Sequence, residues 1–204
     1  MFPIFLNLSG KLVVVVGCGT VGRRKLMALA ETGARLKTVD PGVLWEPGVT
    51  HIAEPYRAEH IAGAALVFAC GPPEVNAQVV ADARAADIWV NSASDPANGN
   101  FAVPAVVRHG EFALAVGTGG AAPALARRVR EKLETEYDAT FGEWVCVLAE
   151  VRAEVLAREP DPARRRELLD GFAAWEWLAR VRAEGAAAVK AAMLAALHSP
   201  GSAS

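Results

Sequence analysis

The spacing of apolar positions changes character twice along this chain. Val13, Val14, Val15 and Val16 run without a polar break and stop at Gly17. A short β-branched run bounded by a turn residue predicts a strand buried on both faces. Leu26, Leu29 and Ala30 then recur at helical spacing, so the order is strand, tight turn, helix. After a break at Thr32-Gly33, residues 34–39 alternate as a second strand ending at Asp40. Residues 49–53 are a weaker third strand, and 58–62 a short helix or turn. Residues 65–70 form another unbroken apolar run, closed by Gly71-Pro72-Pro73, whose prolines can open a helix. Residues 74–86 carry Val75, Val79, Val80 and Ala83 on one face, and 88–91 make a fifth strand. Strands alternating with helices predict an α/β fold, a Rossmann-type doubly wound parallel sheet. Ahead of it, residues 2–8 alternate apolar with small or polar positions and are expected to lie across the sheet edge.

Beyond Asn91 the alternation stops. Residues 92–100 are a polar loop, and two apolar runs, 101–107 and 112–116, follow on either side of Arg108-His109-Gly110-Glu111. This predicts a hairpin rather than another strand–helix unit. Gly117-Thr118-Gly119-Gly120 leads into a helix over about 122–136, opened by Pro123. Residues 139–197 read as helical throughout. Phe141, Val145, Leu148, Val151 and Val155 make one stripe and Leu168, Leu169, Phe172 and Trp175 another; Asp161-Pro162 is an N-cap with proline behind it, and Gly185 separates the last helix. The expected organisation is a nucleotide-binding domain over 1–110, a small α+β segment over 111–138, a helical domain over 139–198 and a tail of disordered composition over 199–204.

The totals narrow the function classes. A chain of 204 residues, 52% hydrophobic, can bury one full core and a modest second unit. Its net charge of -2 gives no general attraction to nucleic acid or to membranes. The N-terminal apolar run is short, lacks a basic start and is broken by Pro3, which does not suit a signal peptide. No uncharged stretch approaches the roughly 20 residues of a membrane span. Cys18, Cys70 and Cys146 are scattered without metal-ligand spacing, as suits a reducing cytoplasm.

Candidate chemistry begins at Gly17-Cys18-Gly19-Thr20-Val21-Gly22, a G-x-G-x-x-G between strand and helix. Gly17 permits the turn, Gly19 lets backbone approach a pyrophosphate, and Gly22 lets the helix pack close to the strand. The anion would sit on N–H groups at the helix N-terminus. Asp40 lies near the offset expected for the residue that holds a ribose 2′-hydroxyl, and its charge would repel a 2′-phosphate, which points to NAD rather than NADP; the alternative is a turn former ahead of Pro41-Gly42. Cys70 and Gly71, at the end of a buried strand, are expected beside the cofactor. Cys18 is a small residue filling the turn, or a thiol whose ionisation the helix start favours. Trp144, Trp175 and Trp177 are core or subunit-contact residues rather than ligand stackers. His51, His60, His109 and His198 lack metal-ligand spacing, and no structural metal is expected; His109 is a turn residue or an assistant to proton transfer.

Taken together, several blocks resemble one family. They are Phe2 through Lys11, the valine run with Gly17, Gly19, Val21, Arg24 and Lys25, the block from Val90-Asn91 through Asp95-Pro96 to Asn100-Phe101 and Pro104, and Gly117 through Glu134. In this order they resemble the precorrin-2 dehydrogenase / sirohydrochlorin ferrochelatase family, the dehydrogenase and chelatase half of siroheme synthase. The resemblance runs from residue 2 to about 135. It implies an NAD-dependent enzyme that oxidises precorrin-2 to sirohydrochlorin and, in many members, inserts ferrous iron as a second substrate. It also implies a homodimer, which makes 111–138 a dimerisation segment; the two helical stripes agree, being more apolar surface than the nucleotide domain alone would cover. The methyltransferase half of fused siroheme synthases has no room here, so precorrin-2 is expected from a separate protein.

The same resemblance nominates the remaining site residues. Arg127, Arg128 and Arg130 would meet the carboxylates of the tetrapyrrole, or else pair with Glu131 and Glu134 on a solvated helix face. Asn91, Gly119 and Gly120 join them as substrate contacts, and Thr118 is either a contact or a helix cap. Family members place two acidic residues before the loop proline, the first being the proposed catalytic aspartate. Here Ser94 stands in that place and only Asp95 remains. Adjacent residues of extended backbone face opposite sides, so Asp95 enters the pocket only if the loop shifts; otherwise it is a turn aspartate before Pro96. Two other readings stay open: a dinucleotide-sensing regulatory module, and an oxidoreductase of another small substrate.

Overall fold

Val13 to Val16 have at most 2% of their surface exposed, and they form the middle of a sheet. In this computed structural model, which describes residues 1–42 and 46–197, β1 (Leu12–Val16), β2 (Arg35–Val39), β3 (Val49–Ile52), β4 (Leu66–Ala69) and β5 (Trp89–Ser92) pair in parallel in the order β3-β2-β1-β4-β5. Side chains alternate along β1, and the two faces acquire different partners. Val13 and Val15 pack with Phe68 and with Leu26 and Leu29 of α1 (Thr20–Leu29). Val14 and Val16 pack with Val67, Val90 and with Val79, Val80 and Ala83 of α2 (Pro73–Ala85). Burying one valine contributes about 1.5–3 kcal/mol, which is why the run tolerates no polar residue. Helices on both faces make the sheet doubly wound, as the apolar pattern predicts. Strand order reverses between β1 and β4, and a crevice opens beyond the carboxyl ends of strands at such a point.

The chain divides into two compact units, Met1–Val103 and the part from Pro104 on. The second starts with an antiparallel hairpin, β6 (Ala105–His109) and β7 (Phe112–Val116), turning at Gly110 with φ +59°. It continues with α3 (Pro123–Glu136), α4 (Ala139–Arg158), α5 (Pro162–Phe172), α6 (Trp175–Glu184) and α7 (Ala186–Ala196). Asp138 accepts from Phe141 N–H at 3.0 Å to cap α4, and Asp161 accepts from Ala163 and Arg164 N–H at 3.1 and 3.3 Å to cap α5. Gly185, at φ +85°, lets α6 turn into α7. Phe141, Trp144, Val151, Val155, Val181 and Met193 share one core.

Two sequence expectations change in the structure. The apolar run 101–107 is not one strand: Phe101 stacks edge-on against Phe68 at 5.4 Å in the first unit, and β6 begins at Ala105. Residues 2–8, expected across the sheet edge, carry no regular secondary structure; Leu8 packs against the sheet while Phe2 and Phe5 are exposed. The two helical stripes are absorbed by the second unit's own core, so they no longer argue for a second copy. Trp144 is in that core and Trp177 packs beside it, whereas Trp175 is 62% exposed. The predicted tail and His198 lie outside the described residues. Among the described residues, no helix is long and apolar enough to cross a membrane.

Candidate active site

The glycine loop is built by steric exclusion. Gly17 has φ +94°, which favours glycine, and its N–H donates to the Val39 carbonyl at 2.9 Å. A Cβ at Gly17 would come within 2.5 Å of the Gly71 nitrogen. One at Gly22 would lie 1.9 Å from the Gly17 carbonyl oxygen, so α1 touches the loop backbone directly. Gly19 is different. Its φ is -66°, and a Cβ there would meet nothing within 4 Å. Gly19 is also the N-cap of α1, with no side chain capping the first-turn amides around Thr20, Val21 and Gly22. An open approach beside uncapped amides is what an anionic group requires at a helix start.

Asp40 closes one side of this loop. Its Oδ2 accepts from Cys18 N–H and its Oδ1 from Gly42 N–H, both at 2.7 Å. The carboxylate therefore forms the turn and reaches 22 residues back to the glycine loop; each oxygen keeps a lone pair for a hydroxyl donor. His51 braces the same turn, with Nε2 to the Gly42 carbonyl and Nδ1 to Thr38 Oγ1, both at 2.8 Å. A carbonyl can only accept, so Nε2 carries a proton. Burial pushes the Cys18 thiol up, the Thr38 hydroxyl bond pulls it down and Asp40 pushes it up again. The net upward direction favours a neutral thiol filling the turn. Cys70 is pushed up to about 11, chiefly by burial, against the pull of Lys25. Lys25 is itself shifted down by burial, and its ammonium lies 5.4 Å from the Phe68 ring centroid.

The polar loop after β5 is built by long-range hydrogen bonds. Cys70 N–H donates to the Val16 carbonyl at 2.7 Å, which keeps the β4 exit beside the glycine loop. Asn76, only 1% exposed, then accepts from Gly71 N–H at 2.8 Å and donates to the Gly71 carbonyl and to Ser94 Oγ, each at 2.9 Å. Ser94 Oγ lies 3.4 Å from Ser92 Oγ, which accepts from Asp95 N–H at 3.2 Å. Asp95 is exposed, and its carboxylate accepts from Ala97 N–H and from Asn98 Nδ2, capping a short turn over Pro96–Asn98. Asn91 donates to the Phe101 carbonyl at 3.1 Å. Asn100 stands in for a missing neighbour strand: its N–H donates to the Val90 carbonyl at 2.9 Å, and its Oδ1 accepts from Val90 N–H at 2.7 Å.

Sequence reading overlooked Asn76 and Asn100. Asn76 did leave a signal, since 76, 79, 80 and 83 share the apolar face of α2 and a polar residue there must find buried partners. Asn100 left none.

The other nominated residues lie in the second unit. Thr118 Oγ1 accepts from Ala122 N–H at 3.2 Å within the loop before α3, whose N-cap is Ala122 with no side-chain cap. Gly119 and Gly120 have φ of +64° and +87° and open space at Cβ. Arg130 pairs with Glu134 at 2.6 Å, and Arg127 approaches Glu131 at 3.8 Å. Arg128 is exposed and has no ion-pair partner among the described residues. His109 Nε2 is buried without a hydrogen-bond partner. Among the described residues no group of three or more His, Cys, Asp or Glu is placed to hold a metal ion.

A family model described as putative NAD(P)-binding matches residues 4–105. The chain belongs to this NAD(P)-binding family. Siroheme synthase from Pseudomonas putida (strain W619) is 39% identical over 182 residues, covering 85% of this chain and 38% of the relative. Siroheme synthase from Gluconacetobacter diazotrophicus is 36% identical over 183 residues, covering 84% and 39%. The chain thus spans well under half the length of these curated relatives. The solved structure of SirC, a precorrin-2 dehydrogenase, superposes with TM-score 0.78 at 25% identity, covering 96% of this chain and 100% of that one. These likenesses uphold the family resemblance drawn from the sequence blocks. They also agree with NAD as cofactor, and the residues present fit such a group: the glycine cradle is open at Gly19 alone, and Asp40 ends β2 beside it.

Proposed function

We propose that this chain is an NAD-dependent precorrin-2 dehydrogenase that forms sirohydrochlorin in siroheme biosynthesis. The observation that carries this reading is the placement of two loops on one sheet edge. A glycine cradle open to an anion follows β1, and the loop bearing Ser94 and Asp95 follows β5 and is tied through Asn76 to the β4 exit beside that cradle.

NAD, when bound, supplies the acceptor for a hydride. The protein's part is placement. Backbone N–H groups of residues 19–22 hold the pyrophosphate, Asp40 accepts from ribose hydroxyls and disfavours a 2′-phosphate by its charge, and Cys70 with Gly71 forms the floor beside Gly17. Asn91 is the first unit's candidate substrate contact, and within the second unit Arg128 is the foremost candidate for a substrate carboxylate because it has no acidic partner among the described residues. Oxidation of the macrocycle also releases a proton. Ser94 is too weak an acid to act as an unaided base, and Asp95 accepts that proton only by leaving its turn. Dehydrogenation depends mostly on placement and is the more robust activity; insertion of ferrous iron, which displaces further ring protons, depends more on a free carboxylate.

A homodimer in the cytoplasm completes the proposal. Its support is no longer the helical stripes but Leu125 and Val129, 55% and 37% exposed one turn apart on α3. All three thiols are free.

The test is incubation of purified protein with enzymatically generated precorrin-2 and NAD while sirohydrochlorin absorbance is followed. The expected result is NAD-dependent product formation, slower with NADP. Tight NAD binding without turnover would favour a sensor and remove the proposal. Adding ferrous iron in a second arm reads metallation separately.

A further inference from the structure

We infer that Asn76 is a positioning residue that holds the cofactor loop and the Ser94 loop in one register, and that it fixes Ser94 as a hydrogen-bond donor toward ligand. The inference rests on the proposed dehydrogenase site and assigns a residue that binds neither cofactor nor substrate.

The orientation of the amide is set by backbone. Gly71 N–H can only donate and the Gly71 carbonyl can only accept, so Oδ1 faces the first and Nδ2 the second. Nδ2 has one proton left, and Ser94 Oγ lies 2.9 Å away. Ser94 is therefore an acceptor toward Asn76. Its own hydroxyl proton is left for Ser92 Oγ, a long 3.4 Å away, or for a bound molecule. Asn76 is only 1% exposed, so its own amide has no access to water, although Ser94 at the other end is exposed.

The network has two ends. One is Gly71, whose nitrogen packs against Gly17 so closely that a Cβ there would be 2.5 Å away. The other is the β5 exit, where Ser92 receives Asp95 N–H and Ala93 N–H donates to the Ala69 carbonyl at 2.9 Å. A change of loop position at one end is carried to the other through a single buried side chain. The titratable and charged groups on the elements it joins are Cys70 beside Gly71, Glu74, Asp82 and Arg84 on α2, and Asp95 in the loop.

Two variants test this. Asn76→Ala removes all three bonds, and amide hydrogen exchange at Gly71 and at Asp95 should rise together by about tenfold or more, whereas Ser94→Ala should raise exchange at Asp95 alone. Exchange at Asp95 unchanged in folded Asn76→Ala overturns the coupling, whether or not the protein turns over precorrin-2. Asn76→Asp keeps the volume, so it serves if the alanine variant does not fold. Its ionised form turns an acceptor toward the Gly71 carbonyl and draws the Ser94 proton inward; the expected result at pH 8 is about tenfold weaker NAD binding and a similar fall in kcat. Burial raises the pKa of a carboxyl, so near pH 6 the protonated acid donates its one proton to the Gly71 carbonyl again; NAD affinity should recover toward the wild-type value at that pH, and kcat, which depends on the Ser94 bond, should recover less. A merely structural role would lower thermal stability without that recovery. Wild-type affinity at both pH values in Asn76→Asp would overturn the inference. Failure of the wild-type protein to bind NAD would instead overturn the proposed function, with hydrogen exchange still deciding the coupling.

Discussion

Residues 17–22 and residues 92–100 both leave the carboxyl edge of the same sheet, yet they are shaped by different forces. The first loop is shaped by what cannot fit: added carbons at Gly17 and Gly22 would meet backbone atoms at 2.5 and 1.9 Å. The second is shaped by what must be satisfied, through Asn76, Ser92 and Asn100, whose partners lie up to 18 residues away. Steric exclusion is rigid, whether the neighbour is near in sequence, as Gly17 is to Gly22, or distant, as Gly71 is to Gly17. Hydrogen-bond satisfaction acts across the fold and can be re-tuned by one side chain. The cofactor side is therefore expected to tolerate change least, while the substrate side is where such a site can drift.

Substitutions can break or sharpen this contrast. The largest effect is expected at Gly22→Val, where the clash is with backbone that cannot move aside; destabilisation of about 3 kcal/mol or more should appear in thermal melting or as loss of soluble protein. Gly19→Val comes next and acts on a different quantity. Its backbone is ordinary and its surroundings are open, so melting should be unchanged while NAD affinity falls about a hundredfold as the pyrophosphate approach is filled. If Gly19→Val melted early, or bound NAD normally, the loop assignment would be wrong. In the second loop, Asn100→Ala strands the buried Val90 N–H and should cost about 1–3 kcal/mol, read by denaturant unfolding. Asp40→Ala should lower the preference for NAD over NADP about tenfold, measured as a ratio of dissociation constants. The smallest effect is expected at Asp95→Ala, which loses a turn cap worth about 0.5–1 kcal/mol and should leave dehydrogenation within a few-fold. A hundredfold fall in kcat there would reverse the comparison and make Asp95 the base.

The second unit gives a parallel lesson at larger scale. Its helical stripes were readable, but their partner was not: Val151 and Val155 are buried within the unit's own helices, while Trp175 at the end of the second stripe stays exposed, as do Leu125 and Val129 on α3. Periodicity says that a face is buried, and it is silent on what buries it.

Much of the first unit was legible without coordinates. An unbroken valine run can only be a strand covered on both sides, and three glycines at fixed spacing leave one way to turn from strand to helix, so the parallel sheet and the glycine loop follow from local sterics. In the second unit, Asp161 as a cap and Gly185 as a break are likewise local. What the tertiary structure decided is where side chains with several possible partners settled. Asp40 joined its turn to Cys18, Phe101 left its apolar run to pack on Phe68, Asp95 took a capping position, and Asn76 bound two loops at once. Polar groups accept any complementary partner within reach, and reach is fixed only after distant strands have been brought side by side.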